Sequence, residues 1–202
     1  MNVVDLIRKY YPSEWSMEDV NRLLINGKIT LDAFLNLFPV TEDDPMTEDK
    51  RTLFRNAKLN ELRQDCNCNI VSGIDVKTSH SGDGTEHFSL DSYDQNNITN
   101  MFYSVLSGAE KYPYHADGKE CAVYTKNDIV NIYAKAQEAI AYHTTYNNML
   151  RMLVNRTEDA GELAAIRYGM ELPDDLAKIM SENFNTALEQ IAAVVAEWSV
   201  SS

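Results

Sequence analysis

Apolar residues recur every three or four positions through most of this chain, and the exceptions fall in a few short stretches. Val3, Leu6, Ile7 and Tyr10 predict a first helix. Pro12 ends it, because the proline ring and its missing N–H both oppose continuation. Ser16 then caps a helix whose inner stripe is Val20, Leu23 and Leu24, with acids in its first turn. Asn26-Gly27 marks that helix's end, and Thr30 caps a short helix carrying Leu31, Phe34, Leu35 and Phe38. Residues 1–38 therefore read as an αα-hairpin. The stretch 39–49, "PVTEDDPMTED", holds two prolines and lacks a periodic apolar face, which predicts an acidic linker.

Beyond it, Thr47 is placed to cap a helix with Leu59, Leu62, Cys66 and Ile70 on one face, ending near Ser72-Gly73. The period then changes to two. Ile74, Val76 and Thr78 alternate with polar residues, as do Phe88 and Leu90, on either side of the turn "SGDG" at 81–84. Asp91 or Ser92 caps the next helix, through Ile98, Met101, Phe102, Val105 and Leu106. "EKYPYHADGK" reads as loop and "ECAVYT" as a third strand. A long helix follows from Lys126 to about Arg156, with a wide apolar face that His143 and Asn147 interrupt as a polar layer. After a break around Gly161 and Gly169, Pro173 opens a last helix with the stripe Leu176, Met180, Phe184, Ala187, Ile191, Val195 and Trp198. The two late helices suit a bundle within one chain or between chains.

The expected fold is α+β and mostly helical: a small β-hairpin or three-stranded sheet packed on helices, between an N-terminal αα-hairpin and C-terminal helices. The expected organisation is an adaptor at 1–38, a linker at 39–49, a body at 50–156 and a helical segment at 157–202.

Composition narrows the function. The net charge is −13, with no basic stripe, so nucleic acid is not an expected partner. No stretch approaches the run of about 18 apolar residues that spans a bilayer, and the N-terminus lacks the features of a secretory signal. A folded start and a reducing compartment are expected, since three cysteines do not describe a disulfide framework.

The richest polar stretch, "SHSGDGTEHFSLDSYDQNNIT" at 79–99, is a candidate ligand loop. It lacks the alternating oxygen ligands of a calcium loop and the Gly-Lys-Ser/Thr of a phosphate loop. A turn followed by a helix cap explains it. Cys66 and Cys68 point to different sides of one helix, and adding His115 and Cys121 gives no standard zinc spacing. No catalytic, metal or cofactor residue is nominated, and a non-enzymatic role is expected.

Two regions resemble phage families. Residues 50–153 resemble a domain of unknown function in tail-fibre and tail-associated proteins of bacteriophages. The resemblance lies in "LNELRQDCNCNIVSGIDV", "HFSLDSYDQNNI", "YPYHADGKECAVYT" and "KNDIVNIYAKAQEAIAYHTTYNNML". The N-terminal 38 residues, through "EWSMEDVNRLLINGKITLDAFLNLF", are similar to short XkdX-like proteins encoded among phage tail genes, with Gly27, Ile29, Thr30 and Phe34 at the matching positions.

The resemblance implies a structural component of a tailed phage particle, made in the host cytoplasm and located in the virion tail. Its place would be the tip, the baseplate or a fibre attachment point, and its partners other tail or fibre proteins. A non-virion chaperone for fibre folding is the alternative. A homotrimer is the natural oligomer by analogy with fibres. Candidate docking residues are Trp15, Leu24, Phe34, Tyr112, Tyr114, His143 and Asn147, because aromatic and half-polar side chains dominate protein interfaces.

Overall fold

The computed structural model describes residues 2–200, with side chains up to 196. The Trp198 side chain, expected on the last apolar stripe, lies outside the described residues. The elements in order are α1 Val3–Tyr10, α2 Met17–Ile25, α3 Leu31–Leu35, α4 Glu48–Val71, β1 Ile74–Val76, β2 Glu86–Phe88, α5 Ser92–Leu106, β3 Lys111–Tyr114, β4 Ala122–Thr125, α6 Lys126–Arg156, α7 Ala160–Ala165 and α8 Asp174–Val200. This is the mostly helical α+β fold that the periodicity predicts. No described helix is long and apolar enough to cross a membrane.

The helix starts follow the capping residues. Asn2 with Asp5, and Ser16 with Asp19, form reciprocal capping boxes on α1 and α2. Thr30, Asp91 and Asp159 accept backbone N–H bonds at the starts of α3, α5 and α7, and Thr47 accepts from Lys50 N before α4.

Of the two sheet forms expected, the β-hairpin is the one found, and among the described residues no three-stranded sheet forms. β1 pairs antiparallel with β2 (Ile74 opposite Phe88), and β3 pairs antiparallel with β4 (Lys111 opposite Thr125), as two separate ribbons. The stretch read as loop, "KYPY", is β3. Pro113 misled the pattern; in a two-stranded ribbon each strand is an edge, and an edge tolerates a residue that cannot donate. The turn at 81–84 is only part of a longer connection, since β2 begins at Glu86.

The chain forms two compact units. One comprises the residues up to Cys66 with Asn147–Asp174; the other comprises Asn67–Tyr146 with the residues from Asp175 onward. These do not follow the cuts at 38, 49 and 156. Both α4 and α6 supply residues to the two units, and a continuous helix carries no break in its apolar pattern to mark such a boundary. The acidic stretch 39–49 belongs to the first unit, where the Lys50 ammonium reaches the Asp44 carboxylate and the Asp44 and Pro45 carbonyls.

In the first unit the buried residues include Ile7, Val20, Leu24, Leu31, Phe34, Phe54, Leu62, Leu150, Val154 and Leu163. Phe34 packs edge-on to Phe54 at 5.5 Å, and α3 lies against α7. In the second unit one core joins both ribbons to α5 and the first turns of α6. Phe88, Leu90, Ile98, Phe102, Tyr124, Ile129 and Ile132 are its centre.

Gly73, between α4 and β1, has φ +88°, and a Cβ there would stand 2.3 Å from the Phe88 carbonyl oxygen. Gly108, after α5, has φ +98° but faces open space. Gly108→Ala is expected to cost about 1 kcal/mol from backbone strain alone. Gly73→Ala should cost at least about 2 kcal/mol more, because backbone must move as well. Urea unfolding of the two variants measures the difference, and equal losses would contradict the close approach.

Candidate functional site

The seven docking candidates scatter. Leu24 and Phe34 are buried in the first unit at 1% and 4% exposure. Tyr114 is buried in the second, stacked on Phe88 at 6.2 Å, with its hydroxyl donating to Asp94 at 3.0 Å. Burial, then the Asp94 carboxylate, push its phenol well above the ordinary tyrosine range. These three are thereby corrected from surface anchors to core residues, because internal packing covers the apolar area that docking would need.

Tyr112 is half-buried, opposite Tyr124 in the β3–β4 ladder. Trp15 is half-buried beside a shallow hollow of about 450 Å³ with Glu14, Asp19, Arg22 and Leu23. His143 and Asn147, one turn apart on α6, are both half-buried. Burial holds the His143 imidazole below its usual pKa, favouring the neutral ring.

Sequence reasoning missed two buried carboxylates in the second unit. Glu86 is 2% exposed. It accepts from the Thr78 hydroxyl, from Lys119 Nζ at 3.0 Å and from the Tyr124 hydroxyl at 3.1 Å. Asp128 is 5% exposed and accepts from Ser79 N and Oγ at 2.8 and 2.7 Å, and from Thr125 N and Oγ1 at 3.0 and 2.7 Å. His80 completes the group: its ring lies edge-on to Tyr124 at 4.9 Å, and Nε2 sits 3.0 Å from the Val123 carbonyl.

Burial alone would raise both carboxyl pKa values, but the converging donors outweigh it and hold both below normal. Burial and the Glu86 charge push Tyr124 up to about 12. The oxygens of both acids are already engaged by donors, so the node ties segments together.

A usable signal existed for Glu86. It shares the inward parity of Phe88 and Leu90 along β2. Asp128 had a local signal too, the Thr-x-x-Asp cap with Thr125 at the start of α6, but its partner Ser79 comes from a distant segment.

The chain was compared with known protein families, with curated proteins and with solved structures. None matches it.

Among the described residues no three His, Cys, Asp or Glu side chains converge as metal ligands. Cys66 is buried, and burial raises its thiol pKa; Cys68 and Cys121 are exposed.

One surface stands out. The inner side of α5 carries the buried Ile98, Met101, Phe102 and Val105. Its outer side carries Tyr93, Asn96, Asn97, Asn100 and Tyr103, all exposed and spaced by three or four residues along one face. Tyr93 is 78% and Tyr103 60% exposed. No charged residue stands on this face, in a chain that is 24% charged. The one acid of α5, Asp94, is half-buried and accepts from Ser89 and Tyr114.

Glu86 and Asp128 are ionised more readily folded than unfolded. Their stabilisation is complete above their ordinary values of 4.5 and 3.8 and is lost as pH falls through the lower folded values. Glu86→Gln and Asp128→Asn are each expected to cost roughly 2–3 kcal/mol at pH 7. They should also flatten the acid side of the stability curve. Urea unfolding between pH 3 and 7 reads both effects; profiles parallel to the wild type would remove these groups from the pH dependence.

Proposed function

We propose that this protein is a non-catalytic docking component of a tailed phage particle, at the tail tip, baseplate or fibre attachment point. The observation that carries the docking part is the uncharged tyrosine and asparagine face of α5. Tyrosine supplies a large, rigid, amphipathic contact at low entropic cost, and asparagine supplies adaptable hydrogen bonding. An uncharged patch also avoids the cost of stripping water from ions when a partner covers it. The resemblance of residues 50–153 and of the N-terminal hairpin to phage-tail families supports the particle. The partner is then another tail or fibre protein, and a trimer is the assembly proposed for the chain itself.

Mass spectrometry of purified particles should find the chain at a fixed copy number, and particle reconstruction should seat a neighbour on α5. Tyr93→Glu with Tyr103→Glu is expected to reduce incorporation at least tenfold, since buried interface tyrosines are each worth about 2 kcal/mol or more. The isolated variant should keep its thermal midpoint, because neither side chain is in the core. A chain present in infected cells but absent from particles would favour a chaperone of fibre assembly instead.

A further inference from the structure

One open hollow of the first unit has a wall of unusual chemistry. Its volume is about 740 Å³, within the range of small-ligand sites. Helix α4 lines it with Asn56, Asn60, Arg63 and Gln64, and α6 with Asn147 and Arg151. No carboxylate lines it, although the chain carries 31 acids against 18 lysines and arginines. Neither Arg63 nor Arg151 is ion-paired among the described residues. Arg63 is instead held by a neutral partner: it donates to Asn60 Oδ1 at 2.8 Å, and Asn60 Nδ2 donates to the Ile25 carbonyl at 3.0 Å. That chain of bonds fixes the guanidinium without neutralising it.

The wall thus offers positive charge and carboxamides, with no aromatic face on which a sugar or base would stack. Spacing narrows the ligand further. Asn56, Asn60 and Gln64 stand at intervals of four along α4, a rise of about 6 Å per step. An extended chain advances about 6.6 Å per two residues. A carboxamide also presents a donor and an acceptor together, as a peptide group does.

We propose that this hollow binds an extended acidic peptide segment of a partner protein. The Asn56 and Gln64 amides pair with its backbone, and Arg63 and Arg151 take its carboxylates as charge-assisted pairs. This site is in the other unit from the α5 face and does not rest on that reading.

The test uses the full chain and two pools of N-acetylated, C-amidated octapeptides. One pool has Asp or Glu at two positions and random residues elsewhere; the other has Asn or Gln at those two positions. The immobilised protein is expected to retain the acidic pool at least tenfold over the carboxamide pool. Arg63→Gln and Arg151→Gln should each weaken retention, and R63Q/R151Q should abolish the preference with an unchanged thermal midpoint. Equal retention of the two pools, or a preference surviving R63Q/R151Q, overturns the proposal. So does binding of inorganic phosphate by calorimetry with neither pool retained, which assigns the guanidiniums to a free anion.

Discussion

A carboxylate taken out of water must bring its donors with it, and the Glu86 carboxylate sets that condition for the second unit. Its three donors come from the connection after β1, from the stretch between β3 and β4, and from β4 itself. Asp128 repeats the arrangement, joining Ser79 of the first connection to Thr125 at the end of β4. Two ribbons of three and four residues are too short to be stable alone. Sharing ionised acceptors fixes them to one another, while Phe88 and Tyr124 supply apolar contact beneath, their rings 5.9 Å apart. Removing any one donor would leave the buried charge less fully compensated, which costs more than the lost bond itself.

The first unit solves the same problem with the opposite sign. Lys58 is 1% exposed, and its ammonium is met by Glu61 at 3.0 Å and by the Ala164 carbonyl at the end of α7 at 3.2 Å. Nearby in sequence, Arg51 and Arg55 share the Glu158 carboxylate at 2.5 and 2.7 Å, and Arg55 also donates to the Thr157 carbonyl. These pairs join α4 to the segment around α7, a hundred residues later in the chain. Charge placed inside or at the margin of a core in this way selects one partner geometry, which apolar packing alone would leave loosely specified.

Such internal use of charge shapes what is left outside. The one acid of α5, Asp94, is turned to Ser89 and Tyr114, which leaves the outer face of the helix neutral. On the wall formed by α4 and α6, Arg63 is held by the Asn60 carboxamide and not by an acid.

Most helices were legible because their signals are local. Asp91 before an apolar run, Thr30 directly before the buried Leu31 of α3, and Pro173 before α8 each act within one turn of chain. The period-two stretch likewise announced β1 and β2. What the sequence by itself determined, then, was the helical α+β class, the order of its elements and most of their ends. Tertiary structure decided the rest: that Leu24, Phe34 and Tyr114 face inward, that "KYPY" finds a strand partner, and that α4 and α6 belong to two units. It also decided that Glu86 and Asp128 are buried and satisfied, and that Arg63 and Arg151 stand without acids. Each of these depends on which distant segment arrives beside a residue, and periodicity within a single element carries no record of that meeting.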